Sequence, residues 1–493
     1  MPDILYRRVA NELARQIEEG AYQPGDRIPS IRRQAQQLDV SLATVQNAYE
    51  LLESRRLIES RPQSGFYVRH PVHADTHEPP MADDLSLPTT VSIRNEATEV
   101  LQRCQGEGIL NLGTAIPSPD FLPMKQLQRT IGRVARQHMD EVVMALFSPG
   151  LETLRREVAK RMADAGCHVS PQEVVITNGC QEALNLCLRT VAEPGDTIAI
   201  ESPAYVGLLQ AIESLGMKAL EIPTHPQDGV SLEALELALN QWDVRACAFV
   251  TANSNPMGAS MPDENKRRLV EMLAEREIPL VEDDEFGDLN YNGTRSIAAK
   301  SFDEKGLVLY CSSVSKSIAS GLRIGWCSPG RYENSIEFLK SFSSVSSPTI
   351  CQLAVAELMT SGGYDRHVRR IQGAYSEQVQ RFASAIGRYF PQGTTVSRPR
   401  GGYVLWVGLP GAVDTKRLHE RALAEGIGII PGHLFSASGN FRGFLRLNCA
   451  VPWSDRVERA LITLAHLAVE LRGTLETEEA HRADGRMKES APE

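Results

Sequence analysis

"SSVSKSIASGLRIGW", residues 312–326, holds one lysine, Lys316, among small hydroxyl residues, with Arg323 seven positions on and glycines at 321 and 325. Alone, such a lysine reads as a solvated charge. The other reading is an amine kept for condensation with an aldehyde, the serines and the guanidinium then serving an anion on the same molecule. Just upstream, "LVLYCSS" is a short apolar run, and "EVVIT", "TIAIE", "ACAFVT" and "IPLVED" are others, separated by helical patterns from about residue 105 onward. Short apolar strands alternating with helices predict an α/β unit built on a mostly parallel sheet.

The ends of those strands carry the chemistry. "VVITNGCQEALNL" gives a strand, a small-residue turn at Asn178-Gly179-Cys180, and a helix whose first amides would face an anion. Such turns are frequent, and their usual meaning is packing. "IPLVEDDEFGDL" closes an apolar strand on three acids, either a solvated strand end or a carboxylate set against a ring nitrogen. "TANSNPMGASMP" brings Asn255 before a proline turn, a donor to a ring oxygen, and "ESPAYVG" places Tyr205 after a strand, where its ring can stack on a planar group.

Taken in order, TNGCQ, ESPAY, NSNPMG, EDD, SSVSK-x6-R and "FLRLNCA" resemble the fold-type I aminotransferases, which use pyridoxal 5'-phosphate, over most of residues 105–470. The resemblance implies that Lys316 is the catalytic lysine that carries the cofactor as a Schiff base. It makes Asp283 the partner of the pyridine nitrogen, Asn255 the donor to the phenolic oxygen and Tyr205 the stacking ring. Gly179, Cys180, Gln181, Ser313, Ser315 and Arg323 would bind the phosphate, and Arg446 the α-carboxylate of an amino-acid effector. Two positions depart from the pattern. Phe286 stands three residues after Asp283, where the family usually has a tyrosine, and cannot donate to the phenolic oxygen. The segment before "GLETLRREVA" has Phe147 as its nearest aromatic.

Residues 1–70 read differently. "LYRRVANELARQIEEG" sets Leu5, Val9, Leu13 and Ile17 at helical spacing and stops at Gly20. Ser30 can cap a second helix, "IRRQAQQL", and Ser41 a third, "LATVQNAYELLESR", after which "LIESRPQSGFYV" alternates like a hairpin. Helix, turn, helix and wing form a DNA-reading pattern. Ten arginines against nine acids leave residues 1–70 at a net +1, beside -10 for the whole chain. The stretch resembles the winged helix of GntR-type bacterial regulators. That implies that Arg32, Ser41, Thr44, Gln46 and Asn47 face double-stranded operator DNA, with Arg61 and Gly65 on the wing.

The expected architecture is multidomain. An N-terminal winged helix-turn-helix, mostly α, spans 1–70; a linker 71–104; an α/β fold-type I aminotransferase-like domain with large and small subdomains 105–472; and a charged, disordered tail 473–493. This combination resembles the MocR subgroup of GntR regulators. It implies a pyridoxal-phosphate-dependent transcriptional regulator that senses an amino acid or related amine, and a homodimer, since fold-type I sites form at a subunit interface. An active aminotransferase with an accessory DNA-binding domain is the alternative, and a large domain that has lost its cofactor is a third. Nine scattered cysteines without a CxxC pair or a Cys/His cluster predict reduced thiols and no metal site. With no signal peptide and no apolar spanning run in the sequence, a cytoplasmic protein is expected.

Overall fold

The computed structural model describes residues 5–18, 21–22, 26–54, 57–61, 65–68, 76–82, 85–411 and 413–489. The chain divides into two compact units, Met1–Thr76 with Ala383–Arg388, and His77–Phe382 with Tyr389–Glu493.

In the small unit, helices α1 (Leu5–Glu18), α2 (Ile31–Leu38) and α3 (Leu42–Ser54) precede an antiparallel hairpin of β1 (Ile58–Arg61) and β2 (Gly65–Val68). Both expected caps form. Ser30 Oγ accepts from the Arg33 amide at 3.3 Å, and Ser41 Oγ from the Thr44 amide at 3.1 Å. Asp39, left-handed at φ 50°, closes α2. Val9 and Leu13 of α1, Val45, Tyr49 and Leu52 of α3, and Ile58 and Val68 of the hairpin share one core. Each such side chain contributes about 1.5–3 kcal/mol when fully buried. Tyr49 ties the parts together: its hydroxyl donates to the Pro29 carbonyl at 2.7 Å and its ring meets Phe66 edge-on at 4.9 Å. Gly20 and the wing turn at 62–64 lie outside the described residues.

Among the described residues the main sheet of the large unit has nine strands. Their order is Thr89–Thr90, Lys218–His225, Thr197–Ser202, Val244–Phe249, Leu280–Asp283, Val308–Ser313, Gly325–Ser328 and Val175–Thr177, with Gly229–Val230 on the side of Lys218–His225. The strands from Lys218–His225 to Val308–Ser313 run parallel, whereas Gly325–Ser328 is antiparallel to both neighbours. Every residue of Thr197–Ser202 and Val308–Ser313 is buried, which is why Ile198–Ile200 and Val308–Cys311 read as apolar runs and not as alternations. A second, antiparallel sheet orders Thr395–Val396, Val404–Gly408, Phe444–Asn448 and Ile430–Pro431. Its Trp406 is fully buried against Phe435 and Phe444.

Two expectations need correction. The stretch 71–104 is not all linker: Thr89–Thr90 joins the sheet, and a helix, Arg94–Arg103, buries Ala97 and Val100 beside Val91, Ile93 and Cys104 in the main core. The Glu213 carboxylate accepts from the amides of Ile93 and Arg94 at 2.8 and 2.7 Å, so a long-range contact fixes the start of this helix. The tail is not devoid of structure either. The last helix runs Asp455–Glu489: its first half buries Val457, Leu461, Leu464 and Leu471, and the sequence that follows is rich in Ala, Glu and Arg, good helix formers; residues 490–493 are outside the described set. All nine cysteines are free thiols, and all but Cys351 are buried. No helix among the described residues is long and apolar enough to cross a membrane.

Candidate functional site

In open α/β sheets, ligands meet the carboxyl ends of the strands. Here Leu280–Asp283 delivers Asp283, Glu285 and Phe286, and Val308–Ser313 delivers Ser313, Ser315 and Lys316. Tyr205 and Asn255 follow Thr197–Ser202 and Val244–Phe249. Lys316, Asp283, Asn255, Tyr205, Glu285 and Phe286 line one cleft. The lysine sits in a wide helical turn, Ser315–Ala319.

The strip Gly113–Ala115 collects the polar groups of the far wall. Lys316 Nζ donates to the Ala115 carbonyl at 3.0 Å, and Tyr403 Oη donates to the same oxygen at 3.1 Å. Arg446 donates to the Gly113 carbonyl at 2.8 Å and to Asn255 Oδ1 at 2.9 Å. Its Nε has no hydrogen-bond partner, and among the described residues no carboxylate pairs with it, although the residue is only 3% exposed. Burial pushes the guanidinium down to about 10, so it stays charged at neutral pH. A buried cation facing only neutral acceptors is arranged for an anionic guest.

The three acids ending the strand have three fates. Glu282 turns into the core, accepting from Thr251 Oγ1 at 2.5 Å and from the amides of Ala299 and Lys300 at 2.7 and 2.8 Å. Asp284 pairs with Arg295 and accepts from Tyr310 Oη at 2.8 Å. Of these three, Asp283 faces the cleft, as does Glu285 after them; Asp283 is held by the Glu285 amide at 3.1 Å and the Cys180 thiol at 3.6 Å. Burial, then the charge of Glu285, push Asp283 up to about 7. A cationic ring nitrogen beside it would reverse that penalty, so this carboxyl fits the pyridine of pyridoxal 5'-phosphate.

The phosphate corner depends on two glycines. Gly179, at φ 80°, opens the helix Cys180–Val191, and a Cβ there would lie 2.5 Å from Arg323 Nη2. A Cβ on Gly325 would lie 2.5 Å from the Gly179 carbonyl carbon. Arg323 is thereby held over the helix start, donating to the Asn178 carbonyl at 2.7 Å. Ser313 Oγ bonds Ser315 Oγ at 2.8 Å. The side chains of Cys180 and Gln181 turn away from this corner. Cys180 faces Asp283, while Gln181 donates to the Gly207 carbonyl at 2.8 Å and accepts from Tyr205 Oη at 3.4 Å. These two residues offer an anion backbone amides at a helix start. Phe286 is buried, its ring 5.4 Å from that of Tyr403, whereas Phe147 is 67% exposed and does not line the cleft.

Sequence reasoning missed Glu285, Tyr403 and the carbonyls of Gly113 and Ala115. "GGY" at 401–403, with Gly402 at φ 71°, was the available signal for Tyr403. On the small unit, Arg32, Ser41, Gln46 and Asn47 are exposed, while Thr44 is half-buried. The Ser41 hydroxyl is engaged by the Thr44 amide and lies 2.8 Å from Thr44 Oγ1, and Gln46 donates to Glu50 at 3.2 Å. Gly65, at φ 108°, leaves room for the Arg27 guanidinium, which a Cβ would approach to 3.2 Å. The Arg61 side chain lies outside the described residues.

Residues 110–464 match the family model for aminotransferase class I and II, and residues 5–68 that for bacterial regulatory proteins of the gntR family. The HTH-type transcriptional regulator YjiR of Escherichia coli (strain K12) is 37% identical over 92% of this chain and 97% of its own length; YdcR of the same strain is 37% identical over 94% and 99%. Among solved structures, a multiple substrate aminotransferase of Thermococcus profundus superposes with a TM-score of 0.71 at 27% identity, over 77% of this chain and 96% of that one. The α-aminoadipate aminotransferase LysN of Thermus thermophilus, complexed with N-(5'-phosphopyridoxyl)-L-leucine, gives 0.70 at 27% identity, over 77% and 99%. Winged helix and aminotransferase-like unit lie in one chain, in the same order and over nearly the full length of these regulators, and the chain belongs to the MocR subgroup of GntR-family transcriptional regulators.

Proposed function

We propose that the large unit holds pyridoxal 5'-phosphate on Lys316 and that occupancy by an amino acid or related amine changes how the winged helices engage operator DNA. The carrying observation is Arg446, a buried guanidinium with no carboxylate partner among the described residues, reaching the same strip, Gly113–Ala115, as the lysine amine. When bound, the cofactor supplies an aldehyde that condenses with amines and a ring that draws electrons. Asp283 holds the proton of the ring nitrogen, Tyr205 covers the ring, and Gly179, Cys180, Gln181, Ser313, Ser315 and Arg323 hold the phosphate. Asn255, itself fixed by Arg446, orients the phenolic oxygen, and Arg446 binds the α-carboxylate of the effector. For the effector to switch transcription it must bind two states of the protein with different affinity.

A homodimer working in the cytoplasm completes this reading. Val143, Met144 and Phe147 are 71%, 67% and 67% exposed, and Phe338 and Phe342 are 69% and 58% exposed. Phe147 bridges to Ser346, and Thr349 Oγ1 donates to the Met144 carbonyl at 3.1 Å, so the first set lies against the segment that follows the helix bearing Phe338 and Phe342. An exposed apolar surface of this kind supports self-association. Two winged helices would then read paired half-sites. Arg32, Ser41, Thr44, Gln46 and Asn47, with Arg61 and Gly65 on the wing, are the proposed DNA contacts.

A working transaminase is the second reading, favoured by the coexistence of Lys316, Asp283 and Arg446 and disfavoured by Phe286, which leaves the phenolic oxygen one donor short. The test is an absorption spectrum of the purified protein titrated with amino acids and then with 2-oxo acids. A saturable shift without conversion to the amine form of the cofactor supports a sensor. Many turnovers, restored by a 2-oxo acid, would overturn it in favour of the enzyme.

A further inference from the structure

Glu285 has no place in the roles assigned so far, yet it stands in the middle of the site. Its carboxylate accepts a hydrogen bond from Ser313 Oγ, the hydroxyl assigned to the phosphate. It also lies, with Cys180 Sγ and the Asp283 carboxylate, in a group whose polar atoms are all within 4.8 Å of one another. No ion pair neutralises it among the described residues. Lys316 is turned to the Ala115 carbonyl, Arg323 to the carbonyls of Asn178 and Ser320, and Arg446 to Asn255 and Gly113. The cleft therefore carries one carboxylate that a pyridinium nitrogen needs and a second that sits on a hydroxyl a phosphate needs.

We infer that Glu285 is a built-in competitor for the phosphate cradle: its carboxylate occupies Ser313 and opposes the cofactor's phosphate, so that the cofactor loads weakly and leaves readily. This rests on the proposed cofactor reading of the site. Two anions forced onto one hydroxyl repel, and one must give way. The phosphate displaces Glu285 by drawing on Arg323 and the helix amides, and part of its binding free energy is spent on that displacement. A regulator with such a residue would respond to the supply of the cofactor as well as to its effector.

The experiment titrates cofactor-free, full-length protein with pyridoxal 5'-phosphate and, separately, with pyridoxal, which lacks the phosphate. Tryptophan fluorescence and visible absorption are followed for wild type, Glu285→Gln and Glu285→Ala, with thermal melts to confirm folding. Like charges about 5 Å apart at an effective dielectric near 20 repel enough to predict a Kd for the phosphorylated ligand about ten- to a hundredfold lower in both variants. Release of the phosphorylated cofactor should slow correspondingly, while the Kd for pyridoxal changes by less than about threefold. An unchanged or weakened affinity for pyridoxal 5'-phosphate in folded variants would overturn the inference alone. Equal tightening of both ligands would overturn it too, since the competition would then not be for the phosphate. A wild type that binds neither ligand would bring down the cofactor reading and this inference with it.

Discussion

Replacing Arg446 by Gln tests the recognition of an α-carboxylate. In the structure the guanidinium makes two hydrogen bonds to neutral oxygens, at 2.9 Å to Asn255 and 2.8 Å to Gly113, and is 3% exposed. A bound carboxylate would add charge-assisted bonds worth about 1.5–3 kcal/mol each. Truncating one partner of such a desolvated pair usually costs about 2–5 kcal/mol. At about 1.4 kcal/mol per factor of ten, the effector's Kd should rise about thirtyfold to several thousandfold. The assay compares an amino acid that shifts the cofactor spectrum with the amine obtained by removing its carboxylate. Arg446→Gln should cripple binding of the first and change the second by less than about threefold, with the melting temperature moving little. The glutamine amide can replace one of the two bonds, and a lone buried cation has been removed. Equal loss for both ligands, or loss for neither, would refute the assignment.

Lys316→Ala should abolish the visible absorption of covalently held cofactor while leaving the winged helix folded, as read by DNA binding in mobility shifts. Arg32→Ala should weaken binding to operator and to unrelated DNA alike, and lower the slope of log affinity against log salt by about one, if Arg32 holds a phosphate. His367 links pH to stability near the lysine turn. Its Nε2 lies 2.7 Å from the Ser317 carbonyl, and burial pushes it down to about 4. The unfolded chain, with a histidine near the ordinary value of about 6.5, then binds more protons between those two values. Stability is fully present above about pH 6.5 and lost as the pH falls toward 4, by up to about 3 kcal/mol from this group. His367→Gln, which keeps a donor for Ser317 but does not titrate, should show a flatter fall in melting temperature over that window.

Local pattern was enough for the helices and hairpin of the small unit and for the parallel strands, while Lys316, Asp283, Asn255, Tyr205 and Arg446 were singled out by motifs whose order resembles a known family. Caps, turn residues and short apolar runs act over a few neighbours, and the motifs of the main sheet follow the ends of their strands, whereas Arg446 lies in the middle of Phe444–Asn448. The helix Arg94–Arg103 was misjudged although Val91, Ala97, Val100 and Cys104 carry its period, because the Pro-rich run before it suggested a linker. What anchors it is Glu213, about 120 residues away.

The sequence by itself determined which groups this protein carries and which strands bear or precede them. Only the tertiary structure decided what they face. Lys316 and Ala115 are 201 positions apart, Arg446 and Gly113 are 333, and Tyr403 and Ala115 are 288. The fates of the three neighbouring acids, one in the core, one on Arg295 and one in the cleft, follow from which chain passes beside each. The presence of Glu285 on the phosphate hydroxyl belongs to the same class. Hydrogen bonding and burial act through space, and no local period records which distant segment a side chain will meet.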